Sequence, residues 1–159
     1  MAEFSGRLQR VGRVAILVAR YNEVVTRRLL DGALEVCREA GMGDPDIDVV
    51  WVAGAFELGA AAAAAAATGR YACLVGLGTV IRGETAHHEY VAGAAVRGLG
   101  AVAVKHGLPV GFGVLTTDTL EQALARAGGD AGNKGREAAE AAITTADAIA
   151  RLGNDRAAG

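Results

Sequence analysis

Four times along this chain a short apolar run rich in β-branched residues gives way to a longer stretch with helical periodicity. That alternation leaves few folds open. The runs are Arg13 to Arg20, Asp46 to Gly54, Tyr71 to Ile81 and Pro109 to Thr117. Each is too short to make a stable helix, and turn residues bound it. After the first run, Val25, Leu29, Ala33, Val36 and Ala40 recur at helical spacing up to Gly41. Phe56 to Gly69 is an alanine-rich helix, alanine being the strongest helix former. Thr85 to Gly107 reads as the third helix. Asp118 to Gly128 and Lys134 to Leu152 read as two closing helices around the loop Gly129 to Asn133. A strand–helix repeat of this kind predicts an α/β fold, a three-layer α/β/α sandwich on a four-stranded parallel sheet. No repeat or linker divides the chain, so residues 1–159 are read as one domain, with 1–10 as an N-terminal arm and 154–159 as a disordered tail.

Composition limits the core and the partners. The chain is 52% apolar but only 4% aromatic, so its interior must be built from Ala, Val, Leu and Ile. Alanine buries little area per residue, and further burial in an oligomer would help. A net charge of −2 and the absence of any Lys/Arg cluster argue against nucleic-acid binding. The opening MAEFSGRLQR lacks the apolar stretch of a secretory signal, and no apolar run reaches the roughly 20 residues of a membrane span. Cys37 and Cys73 lack the spacing of metal ligands or a redox pair, and read as reduced, buried thiols of a cytoplasmic protein.

In open parallel sheets ligands sit outside the carboxyl ends of the strands. The first strand ends in Arg20-Tyr21-Asn22-Glu23, the second in Gly54-Ala55-Phe56-Glu57. The third ends in Arg82-Gly83-Glu84-Thr85-Ala86-His87, the fourth in Phe112 to Thr117. Tyr21 and Phe56 suit stacking on a heterocycle or simple packing in the core. Asn22 and Glu57 suit hydroxyl or amide recognition, or local capping of the helices they precede. Gly83-Glu84-Thr85 opens the third helix, where unpaired N–H groups and the helix dipole favour an anion. The glycines at Gly76 and Gly78 make no dinucleotide or Walker loop, so a small phosphorylated metabolite fits better than ATP. His87 and His88 both fall in the first helical turn, where an imidazole is biased toward its neutral form and suits proton transfer. Helical spacing does not separate them. His106 reads as a C-terminal cap. Arg126 and Lys134 bracket a glycine-rich loop, as solvated helix-end cations or as phosphate ligands.

With these residues assembled, the chain resembles the 6,7-dimethyl-8-ribityllumazine synthase family along nearly its whole length. The blocks that carry the resemblance are ARYNEVVTRRLLDGA, VAGAFEL, GLGTVIRGETAHHEY, FGVLTTDTLEQALARAG and AGNKG, in family order and spacing. The resemblance implies a flavodoxin-like fold in which the N-terminal strand pairs with a neighbouring subunit. It implies condensation of 5-amino-6-(D-ribitylamino)uracil with 3,4-dihydroxy-2-butanone 4-phosphate, without metal or organic cofactor. Tyr21 would stack on the pyrimidine. Asn22 and Glu57 would bind the ribityl chain, with the backbone of Gly54, Ala55 and Phe56 alongside. The backbone of Thr79, Val80 and Ile81 would read the uracil edge. Gly83, Glu84 and Thr85 would hold the phosphate, completed by Arg126 of a neighbour, while Phe112 and Lys134 close the pocket from that side.

His87 takes the position of the family's proton-transfer histidine. His88 stands where the family usually has an aromatic residue, and Gly59 where it commonly has proline. Arg82 receives no role. The resemblance further implies a homopentamer, and the short loop before Asn133-Lys134-Gly135 favours assembly into an icosahedral shell of about 60 subunits over a free pentamer or decamer. Riboflavin synthase is the candidate cargo. Two rival readings are an archaeal-type riboflavin synthase and a catalytically silent flavin-binding or shell-forming protein of the same fold.

Overall fold

Strand β1 (Val14–Ala19) is buried on both faces, which explains its unbroken apolar sequence: helices cover the sheet above and below. The structure, a computed structural model, describes residues 1–158, with side chains through Asp155. In chain order β1 is followed by α1 (Glu23–Glu39), β2 (Ile47–Val52), α2 (Leu58–Ala67), β3 (Cys73–Ile81), α3 (His87–His106) and β4 (Val110–Thr117). The chain closes with α4 (Leu120–Ala125), a two-stranded hairpin of β5 (Ala127–Gly129) and β6 (Gly132–Asn133), and α5 (Lys134–Ala158). The main sheet is wholly parallel in the order β2-β1-β3-β4. This is the three-layer, flavodoxin-like α/β/α arrangement that the alternation predicts.

Period-two alternation along the strands divides the core into two layers. Val14, Ile16 and Val18 of β1 face α1 and α5, together with Cys73, Val75 and Leu77 of β3. Ala15 and Leu17 face α2 and α3, with Leu74 and Val80. Val25, Leu29, Ala33, Val36 and Ala40, the periodic set of α1, are all buried. No aromatic side chain belongs to the buried core among the described residues. Small side chains permit close contact between layers instead. A Cβ at Gly111 of β4 would run into the backbone of Ala138 in α5, and one at Gly135 of α5 into the carbonyl of Leu29 in α1. Cys37 and Cys73 are free and fully buried, and burial pushes their thiols up to about 11 and about 12.

Several boundaries differ from the sequence reading. Helix α3 begins at His87 and not at Thr85, because the Thr85 hydroxyl accepts the His87 N–H at 3.4 Å and holds the chain in a turn. The α2 helix starts at Leu58, after a 3₁₀ turn over Ala55–Glu57. Gly59 therefore lies inside its first turn, where a Cβ would sit 3.1 Å from Gly98 Cα of α3. The stretch read as one helix to Gly128 is the short α4 followed by the hairpin. Helix α5 continues past Leu152 to Ala158, over most of the segment read as a tail, and Gly159 lies outside the described residues.

Before β1 the described residues form no strand. This arm lies on its own α5: Asp147 accepts from the Arg7 N–H at 2.8 Å and from Gln9 Nε2 at 2.7 Å. No helix among the described residues is long and apolar enough to cross a membrane.

Candidate active site

The chain leaves β1 toward α1 on one face of the sheet and leaves β3 toward α3 on the other. Adjacent strands with oppositely directed exits open a crevice at their carboxyl ends. A cleft of about 730 Å³ occupies that position.

Its first wall is the exit from β1. Backbone bonds from Arg20 N to Val52 O (2.8 Å) and from Tyr21 N to Ala53 O (3.0 Å) carry the β1–β2 ladder past both strands. Arg20 and Arg27 each stack on the Trp51 ring, with guanidinium carbons 5.0 Å from its centroid. Glu23 pairs with both arginines and ties the group together. So braced, the turn presents Tyr21 to the cleft at 75% exposure, which removes the core-packing alternative for this ring. Asn22 is the only non-glycine residue with positive φ (62°) among the described residues. Its side chain does not cap α1: Nδ2 donates across the crevice to the Thr79 carbonyl at 3.0 Å.

The exit from β2 forms the second wall. Phe56 is 64% exposed and lines the cleft beside Gly54, Ala55 and Glu57. Oε2 of Glu57 accepts the Gly54 N–H at 2.9 Å, so one carboxylate oxygen serves the turn. The other has no hydrogen bond to the described residues. The local capping reading of Glu57 therefore holds, while its second oxygen stays available to the cleft.

The third wall is the end of β3 and the start of α3. Thr79, Val80, Ile81, Gly83, Thr85, His87 and His88 line it. The Thr79 hydroxyl is buried without a partner among the described residues. Glu84 sits exposed in the same turn, outside the cleft lining. Arg82 points away: its N–H donates to Thr117 O at 2.8 Å, and its guanidinium lies 3.8 Å from Asp118, both side chains well exposed. His106 ends α3 far along the helix, before a left-handed Gly107. Sequence reasoning did not anticipate Ala53 as a lining residue. Val91, four residues past His87, carries the same helical face into the cleft.

Three residues of the sequence reading lie elsewhere. Phe112 and Lys134 line a separate hollow of about 670 Å³ between the β4 edge and α5. Lys134 there pairs with Glu137 at 3.1 Å. Arg126 closes α4, where its Nη1 donates to Gln122 O at 3.0 Å. Asn133, missed as a structural residue, holds this region: Oδ1 caps α5 through Gly135 N and Arg136 N, and Nδ2 donates to Arg28 O. Its place directly before a helix start was the available signal.

The cleft thus combines two exposed rings, a polar strip and a helix N-terminal turn carrying imidazoles, an arrangement suited to a flat heterocycle beside a small anion. Comparison with known families agrees: residues 12–150 match the family model described as 6,7-dimethyl-8-ribityllumazine synthase. With that match covering most of its 159 residues, the chain belongs to the 6,7-dimethyl-8-ribityllumazine synthase family, whose enzymes serve riboflavin biosynthesis.

Proposed function

We propose that this cleft condenses 5-amino-6-(D-ribitylamino)uracil with 3,4-dihydroxy-2-butanone 4-phosphate to 6,7-dimethyl-8-ribityllumazine. The observation that carries the reading is the single crevice that brings Tyr21 and Phe56, Asn22 and Glu57, and Gly83, Thr85 and the two imidazoles side by side. Tyr21 and Phe56 flank the pyrimidine. Asn22 Oδ1 and the free oxygen of Glu57 take ribityl hydroxyls, and the backbone of Thr79 to Ile81 meets the uracil edge. The phosphate sits on the turn formed by Gly83, Glu84 and Thr85.

The primary amine of the uracil attacks the ketone, and loss of one water gives the imine. A proton leaves the carbon that bears the hydroxyl, and the phosphate departs with its bonding pair. The resulting enol becomes a carbonyl, on which the ribitylamino nitrogen closes the ring with loss of a second water. His87 Nε2 or Nδ1 moves these protons, a contribution of about 10²-fold or more. Holding two reactive partners together supplies much of the remaining acceleration.

Phe112, Lys134 and Arg126 complete the site from a neighbouring subunit. Phe112 and Lys134 line the hollow at the β4 edge and Arg126 closes α4, all outside the cleft of their own chain, which supports this division. The assembly is a homopentamer, built into an icosahedral shell in the cytoplasm, with the part of the arm ahead of its Arg7 contact to α5 added to a neighbour's sheet and riboflavin synthase as cargo. Light scattering of the purified protein separates the shell from a free pentamer.

The test of function is direct. Incubation with the two precursors should raise lumazine absorbance and fluorescence, while lumazine alone should stay unchanged. Conversion of lumazine to riboflavin would instead identify a riboflavin synthase. No change in either mixture would identify a silent protein.

A further inference from the structure

Of the two adjacent imidazoles, the fold holds the second. His88 is half-buried, whereas His87 is exposed. Nδ1 of His88 lies 3.1 Å from the backbone oxygen of Thr85. A carbonyl only accepts, so Nδ1 carries the proton in this bond. The bond fills a gap in the backbone pattern. The Glu89 N–H turns to Ala86 O at 3.0 Å, which leaves the Thr85 carbonyl to the His88 ring. Meanwhile the Thr85 hydroxyl accepts the His87 N–H, and the N-cap residue Ala86 has no side chain to help. Thr85 is therefore held twice by the histidine pair, at its carbonyl by the His88 ring and at its hydroxyl by the His87 N–H. An aromatic hydrocarbon ring at position 88 has no donor to offer and would leave that carbonyl to solvent.

We propose that His88 is a positioning residue for the phosphorylated substrate: its Nδ1–H bond to the Thr85 carbonyl holds the Gly83–Thr85 turn in the shape that receives the phosphate. This rests on the phosphate placement argued above. It assigns His88 a task distinct from proton transfer by His87. Loss of the bond loosens the turn and weakens binding of the phosphate end, leaving the pyrimidine end, held by Tyr21, Phe56 and the backbone of Thr79 to Ile81, unaffected.

Two variants of the intact protein test this, His88→Phe and His88→Asn, the latter placing an amide N–H near the Nδ1 position. His88→Phe should raise KM for the butanone phosphate about 5- to 10-fold, the effect of one hydrogen bond, while kcat and KM for the uracil move less than about 2-fold. His88→Asn should recover most of the loss. Inorganic phosphate, titrated in the absence of substrates, should bind more weakly to His88→Phe by a similar factor. Nitrogen-15 shifts of the wild-type imidazoles should show the Nδ1–H tautomer for His88. An Nε2–H tautomer, equal rises in both KM values, or failure of His88→Asn to recover would overturn the proposal. Phosphate binding that depends on His88 in a protein without turnover would uphold it while removing the synthase reading.

Discussion

Asn22 Nδ2 donates to the backbone carbonyl of Thr79 at 3.0 Å and so bridges the two strand ends between which the cleft opens. The same residue stands in a left-handed conformation, which asparagine tolerates better than most side chains. Asn22→Ala loses both the bridge and this tolerance, and should destabilise the fold by about 1–2 kcal/mol. Asn22→Gly restores the backbone freedom without the bridge and should fall between the two. Urea denaturation of the three proteins measures the order. An alanine variant as stable as wild type would show that the bridge contributes nothing.

Close helix contacts make a second prediction. Gly135→Ala drives a methyl group into the Leu29 carbonyl and should cost about 3 kcal/mol or more, since neither backbone has room to withdraw. Gly100 is exposed on α3 with open space around it, and Gly100→Ala should stabilise by about 0.5–1 kcal/mol. Thermal unfolding of both variants should move in opposite directions.

The arm before β1 depends on a carboxylate. Asp147 accepts from Arg151 Nε at 2.7 Å, from the Arg7 N–H and from Gln9, and these donors hold it down at about 2. In the unfolded chain an aspartate titrates near 3.9, so the ionised form is favoured by folding. The stabilisation is complete above that value and fades as pH falls through about 2. Asp147→Asn should therefore be less stable than wild type at neutral pH, with the gap closing in acid. A gap that widens on acidification would contradict the assignment.

Division of the site between subunits predicts complementation. His87→Ala damages the cleft of its own chain, and Lys134→Ala damages the wall offered to a neighbour. Co-refolding the two variants in equal amounts should restore about a quarter of wild-type activity, because random neighbours pair an intact cleft with an intact lysine at that frequency. If Lys134 served its own chain, every mixed site would stay defective.

Much of this was legible in the sequence because local pattern and tertiary demand agree. The four strands and the buried stripe of α1 follow from period and length alone. Tyr21, Phe56 and the Gly83–Thr85 turn were legible because topology dictates where strand ends gather. What stayed hidden depends on partners distant in sequence. Asn22 looked equally suited to capping α1 until Thr79, 57 residues away, claimed its amide. The hairpin after α4 is set by Gly128 and Gly132 in positive φ and by Asn133 reaching Arg28, none of which follows from periodicity. Phe112 reads from sequence as part of the fourth strand's carboxyl end, yet it is the third residue of β4, near the start of an edge strand, and so opens a different hollow. The histidine pair was inseparable by spacing; burial and one hydrogen bond to Thr85 separate it.

The central claim is that the β1–β3 cleft carries the condensation, with His87 moving protons. The rate of lumazine formation, compared among wild type, His87→Ala and the uncatalysed mixture, tests it most directly. The wild type should far exceed the uncatalysed rate, and His87→Ala should fall by roughly 10²-fold while its KM values hold. A wild-type rate equal to the uncatalysed one, or a His87→Ala rate equal to wild type, would contradict it.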